Sequence, residues 1–194
     1  MTKNAKQKLI EASYLFMLTK GYSSTSVDEL CESAGVSKGS FYHFFKSKEE
    51  LGIALLDDFH DKVRNGFLSG DFIKIKDPQK RMLAFFKHTE ENAHLFWGNG
   101  CLLGSFASDL AETNEQIRKK VSSMLDDIAV SISKIFNKFS ELYPENKNLE
   151  AKKLAENYIM MIEGAIVLCK AHHDNKFLDR ALVSFRENVE AQIK

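Results

Sequence analysis

Apolar side chains return every three or four residues along nearly the whole chain, the period of helices that bury one face. Ala5, Leu9, Ala12 and Phe16 predict a first helix over residues 3–19, stopped at Lys20-Gly21. Ser26 and Glu29 stand in the spacing of a capping box and open a second helix that runs to about Ala34. Its apolar positions are Val27, Leu30, Cys31 and Ala34, and Gly35 suits the left-handed turn that ends it. Ser37 is the N-cap of a third, short helix in which Phe41 and Phe45 share the inner side. Lys38, Gly39, Ser40, Tyr42 and His43 then point outward or lie near the helix start.

A longer helix follows from Lys48 to Gly66 or Gly70, with Leu51 and Leu55 on one face and Leu56, Phe59, Val63 and Phe67 on another. Apolar surface on two sides marks a connecting helix. Asp77-Pro78 begins the next, expected to reach Trp97 before the break at Gly98-Asn99-Gly100. Thr113 and Gln116 form a second capping box, ahead of a seam from Val121 to Phe139 that stops at Tyr143-Pro144. Two final helices are expected over residues 149–171 and 176–192. The fold class is all-α.

Composition narrows this picture. The chain has 194 residues, enough for one or two domains with a buried core, and only two prolines to interrupt long helices. Its formal charge is +0, which argues against a protein that coats DNA by bulk charge. Residues 1–48 nevertheless carry seven lysines against four acidic groups, a local excess of +3. The N-terminal lysines precede no apolar run, and no stretch approaches the length of a membrane span, so a cytoplasmic protein without a membrane partner is expected. Cys31, Cys101 and Cys169 are odd in number and lack the spacing of zinc ligands. His172 and His173 are adjacent, hence about 100° apart on a helix and poorly placed to share an ion. Neither a metal nor a cofactor is expected, and no nucleophile, base and orienting group stand together as an enzyme would need.

The segment from Ser26 to Lys48 has the form of a helix-turn-helix, a unit that lays one helix in DNA. Gly21-Tyr22, Thr25-Ser26-Val27, the run from Ala34 to Phe45 and Ser47-Lys48-Glu49 resemble the DNA-binding domain of TetR-family transcriptional repressors, nearly position for position over the first fifty residues. The resemblance implies a homodimer on double-stranded operator DNA, with residues 1–47 as the DNA-binding domain and 48–194 as a helical ligand-binding and dimerisation domain. Its DNA-contacting positions would be Thr25, Ser26, Ser37, Lys38, Gly39, Ser40, Tyr42, His43 and Lys48. Thr25 either meets the DNA backbone, as the family implies, or shapes the turn. Lys48, at a helix start, either holds a phosphate or is a solvated surface lysine.

Gly100-Cys101-Leu102 and the residues to Leu110 resemble a segment found in one branch of these regulators, which includes repressors responding to quinones and aldehydes. Cys101 opens a predicted helix, where the dipole favours a thiolate; the other reading is a small buried hydrophobe. Trp97, Cys101, Phe106, Tyr158, Met161 and Lys170 are the candidate ligand-binding residues, and the branch resemblance suggests that Lys170 stabilises a Cys101 thiolate. Leu154, Tyr158, Met161, Ile162, Ala165 and Cys169 form one stripe of the penultimate helix, while Ile159, Ile166 and Val167 spread apolar surface around it. Leu178, Leu182, Phe185, Val189 and Ile193 form a stripe on the last. Two such helices from each subunit suit a four-helix dimer interface. The chain therefore reads as a regulator, in the family majority a repressor, released from its operator by an unidentified small molecule. That effector is either an electrophile reacting at a cysteine or an apolar compound bound without reaction. A non-specific architectural DNA-binding protein is the remaining alternative.

Overall fold

A computed structural model describes residues 4–66 and 68–193, so Phe67 and Lys3 lie outside the described residues. Among those residues there is no strand. The helices are α1 (Ala5–Thr19), α2 (Val27–Ala34), α3 (Lys38–Phe44), α4 (Lys48–Asn65), α5 (Pro78–Glu91), α6 (Ala93–Trp97), α7 (Leu102–Leu110), α8 (Glu115–Ser140), α9 (Ala151–His172) and α10 (Lys176–Ala191). Short 3-10 turns at Asp71–Lys74 and Lys147–Leu149 complete the order.

The chain divides into two compact units. One comprises Met1–Lys62 and Asn99–Met124; the other comprises Val63–Gly98 and Leu125–Lys194. In the first, α1 packs on α2, α3 and α7. Leu9, Met17, Leu30, Phe41, Phe45, Leu51, Leu55, Leu102 and Phe106 close its core. The inner stripe of α1 is Leu9, Ile10, Ser13 and Met17, displaced by one residue from the expected Ala12 and Phe16. Ser13 is tolerated there because its hydroxyl donates to Leu9 O at 2.7 Å, which satisfies the buried group within its own helix.

In the second unit, α10 packs on α9 and α5 around a cluster of rings. Phe85 meets Phe136 and Tyr158, each at 5.6 Å between centroids, and Tyr158 meets Phe185 at 5.1 Å. These are tilted and edge-to-face contacts, the arrangements ring quadrupoles favour. The Tyr158 hydroxyl shares a 2.6 Å hydrogen bond with Thr89, whose own hydroxyl lies 2.9 Å from Phe86 O. Burial pushes the Tyr158 phenol well above its usual range, so the ring remains neutral.

Two expected boundaries moved. The helix from Pro78 to Trp97 is interrupted at Asn92, which leaves the helical region at φ −111 and ψ 12 while its amide donates to His88 O at 2.8 Å. Asparagine competes for backbone partners in this way and weakens a continuous helix. At the start of α8 the cap is Asn114, one residue after the expected Thr113: its Oδ1 accepts from Ile117 N at 2.9 Å. The same side chain donates to Glu49 Oε1 at 2.6 Å, joining α8 to α4 within the first unit.

Candidate nucleic-acid interface

The reading segment is set by its caps. Ser26 Oγ accepts from Glu29 N at 3.2 Å, and Glu29 accepts from Ser26 N at 2.9 Å, so both halves of the capping box close. Lys20 adds a 2.5 Å bond to the other Glu29 oxygen. Lys20 first, then the Ser26 amide and hydroxyl, hold the Glu29 carboxyl down to about 2. At the far end of α2, Gly35 takes φ 63 and ψ 39, and the Val36 amide reaches back to Cys31 O at 3.0 Å. That left-handed residue turns the chain, and Ser37 restarts it by accepting from Ser40 N at 3.1 Å.

α3 is short and strongly two-sided. Phe41 and Phe45 are buried behind it, their rings 5.9 Å apart. Ser37, Lys38, Gly39, Tyr42 and His43 are exposed, and Ser40 is half-buried. Tyr42 is 57% exposed although it is large and aromatic, with its ring edge-on to Phe41 at 5.1 Å. A Cβ built at Gly39 would come no nearer than 3.7 Å to any other group, so packing within the chain does not require glycine there. Lys38 pairs with Asp28 at 2.7 Å on the open surface, where such a pair is weak and easily exchanged for another anion.

Thr25 and Lys48 are engaged differently. Thr25 is 1% exposed and its hydroxyl donates to Gly21 O at 2.7 Å, so here it shapes the turn between α1 and α2. The Lys48 ammonium donates to Tyr22 O and Thr25 O, both at 2.9 Å, and lies 4.3 Å from the centre of the Tyr22 ring. Partial burial lowers its pKa, with Asp109 opposing that shift. Two of its three protons are thus spent inside, on carbonyls of the turn. The carbonyls that receive Lys48, and the part played by Tyr22, carry no signature in the chain's spacing. The positive φ of Gly21, +82, is the one local sign that this turn is built to a special shape.

The candidate ligand-binding residues fall into both units. Cys101 is the N-cap residue of α7 and is 7% exposed. Phe106 is fully buried in the first unit, 5.5 Å from the Tyr22 ring and against Gly52, which makes it core at the base of the reading segment. In the second unit Tyr158 is core, Trp97 and Met161 are half-buried and Lys170 is exposed. His172 stacks on Phe177 at 4.8 Å and His173 takes the left-handed C-cap of α9. Among the described residues no three metal-ligating side chains converge, and no helix is long and apolar enough to cross a membrane.

Comparison with known proteins places both halves of the chain. A family model described as bacterial regulatory proteins of the tetR family matches residues 9–55. A second, described as the C-terminal domain of LmrA/YxaF-like transcriptional regulators, matches residues 78–183. The chain is similar to the transcriptional regulator AcuR of Cereibacter sphaeroides, at 30% identity over 86% of this chain and 76% of that protein. It is also similar to the transcriptional repressor DhaR of a Mycobacterium species, at 27% identity over 91% of this chain and 88% of that one. The crystal structure of a regulatory protein TetR from Rhodobacter sphaeroides matches with a TM-score of 0.77 and 28% identity, covering 94% of this chain and 97% of the other.

Proposed function

Because this chain belongs to the TetR family of bacterial transcriptional regulators, we propose that α3 is its DNA-reading helix and that α9 and α10 form its dimer interface. It is a DNA-binding regulator and not an enzyme; the family's members bind operator DNA as dimers. The observation that carries the assignment of α3 is its outer face. Lys38, Tyr42 and His43 are exposed on a helix anchored by Phe41 and Phe45. A lysine, a phenol and an imidazole supply donors for phosphates and base edges, and Gly39 lets the backbone approach closely. Lys48, at the start of α4, adds a phosphate contact through the proton its two carbonyl partners leave over.

Support for the dimer interface comes from α9. Met160, Val167 and Leu168 are 62%, 65% and 45% exposed, and a Cβ at Gly164 would meet nothing within 4 Å. Apolar surface of this size on a helix with room at its glycine suits a second copy of the same helix. Reading and sensing divide functionally near residues 47 and 48. The effector acts through Cys101 if it is an electrophile, because that residue stands at the N-terminus of α7, where the helix dipole favours a thiolate, or binds the apolar body without reaction. In either case release requires that the effector favour dimers whose α3 helices no longer match adjacent major grooves, about 34 Å apart.

A binding titration against the DNA directly upstream of the gene tests this reading, with quinones, aldehydes and apolar compounds added to the native protein and to Cys101→Ser. Release by electrophiles that Cys101→Ser abolishes supports the thiol sensor. Release by an apolar compound in both proteins retains the repressor and removes the sensor. Equal affinity for all duplexes would refute sequence-specific recognition.

A further inference from the structure

We propose that Asp109, in the last turn of α7, is a positioning residue for DNA recognition: it holds the turn from Gly21 to Thr25 on which α2, and through it α3, is set. The proposal rests on α3 being the reading helix. Asp109 Oδ2 accepts from Ser23 N at 3.3 Å, across 86 residues of sequence. The turn fits around this carboxylate: a Cβ added at Gly21 would lie 2.6 Å from the same oxygen, and Gly21 is held at φ +82. The Lys48 ammonium, near enough to Asp109 to feel its charge, donates to Tyr22 O and Thr25 O of the same turn. A carboxylate, an ammonium and the Thr25 hydroxyl therefore grip five residues that contain no regular structure of their own.

α7 makes this grip with more than one side chain. Ser105, one turn earlier, donates to Met17 O at 2.8 Å, at the end of α1, and Phe106 carries the Tyr22 ring. Ser105, Phe106 and Asp109 lie at i, i+1 and i+4, so one side of α7 touches the end of α1 and the turn that follows it. Ser26, the next residue after Thr25, is the N-cap of α2. Displacing the turn moves the origin of α2, and Gly35 passes that displacement on to α3. Asp109 exerts this control without touching DNA.

The test uses the full-length protein, with operator affinity measured beside amide hydrogen exchange at Ser23. Asp109→Ala should weaken operator binding about threefold to tenfold, the range a charged hydrogen bond at an exposed site supports. It should also speed Ser23 exchange while leaving the melting temperature and dimer state unchanged. Asp109→Asn, which keeps an acceptor oxygen, should restore much of both. Gly21→Ala, whose methyl group would occupy the carboxylate's place, should combine with Asp109→Ala less than additively. Operator affinity within twofold of native in Asp109→Ala overturns the proposal, as does lost affinity with Ser23 exchange unchanged. Tyr42→Ala separates the underlying reading: it should weaken DNA binding with Ser23 exchange intact, and normal binding in that variant would instead discard α3 as the reading helix.

Discussion

α3 and α9 obey the same rule on their inner sides and opposite rules on their outer sides. Each buries aromatic residues against its unit, Phe41 and Phe45 from the α3 segment and Tyr158 from α9. Outward, α3 shows Lys38, Tyr42 and His43, while α9 shows Met160, Val167 and Leu168. The inner face holds a helix in place; the outer face selects its partner. Polar and cationic donors suit a charged, hydrated duplex, and bare aliphatic surface suits another protein face that can exclude water.

Breaking the inner side of α3 should have the largest effect. Phe41→Ala leaves a fully buried cavity and should cost about 3–5 kcal/mol in denaturant unfolding, abolishing operator binding along with the fold of the segment. Charging the outer side of α9 comes next. Val167→Asp should raise the dimer dissociation constant about a hundredfold, through an unpaired charge in an apolar contact, while each subunit keeps its helicity in sedimentation and circular dichroism. The outer side of α3 is a smaller and cleaner case: Tyr42→Ala should weaken binding to every duplex about tenfold, whereas changes at Ser40 should alter which operator is preferred. If Val167→Asp leaves a tight dimer, α9 and α10 are not the interface.

The smallest effect is a pH dependence in the capping box. The Glu29 carboxyl is held down to about 2 in the folded chain, below its ordinary 4.5. A depressed carboxyl stabilises the fold above its unfolded pKa and loses that contribution as pH falls through the folded one. The native protein should therefore melt higher than Glu29→Gln above about pH 5, with the gap closing between about pH 4.5 and 2. A gap that stayed constant down to pH 2 would show that Glu29 acts by shape alone.

Much of the architecture was legible in local chemistry. The Ser26 and Glu29 spacing located the start of α2, Gly35 its end and Ser37 the start of α3, because caps and left-handed glycines act through neighbours in sequence. Asn92 and Asn114 were harder to read. An asparagine can break a helix, cap one or sit idle, and the choice depends on whether its amide finds His88 O or Glu49. Phe106 illustrates the same difficulty for a site: the sequence puts it among the candidate ligand-binding residues, but it is buried core, and the Tyr22 ring it meets comes from a distant turn.

The sequence by itself marked most of the helices, the caps of α2 and α3, the helix-turn-helix segment and the family, since each is written in residues a few positions apart. Tertiary structure alone decided what those residues touch. It turned Thr25 inward, gave Lys48 to the carbonyls of Tyr22 and Thr25, and brought Asp109 to Ser23. Spacing encodes which face of a helix is buried, because the helical period is fixed. The neighbour that buries it depends on how separate helices pack, and that is settled only when the whole core closes.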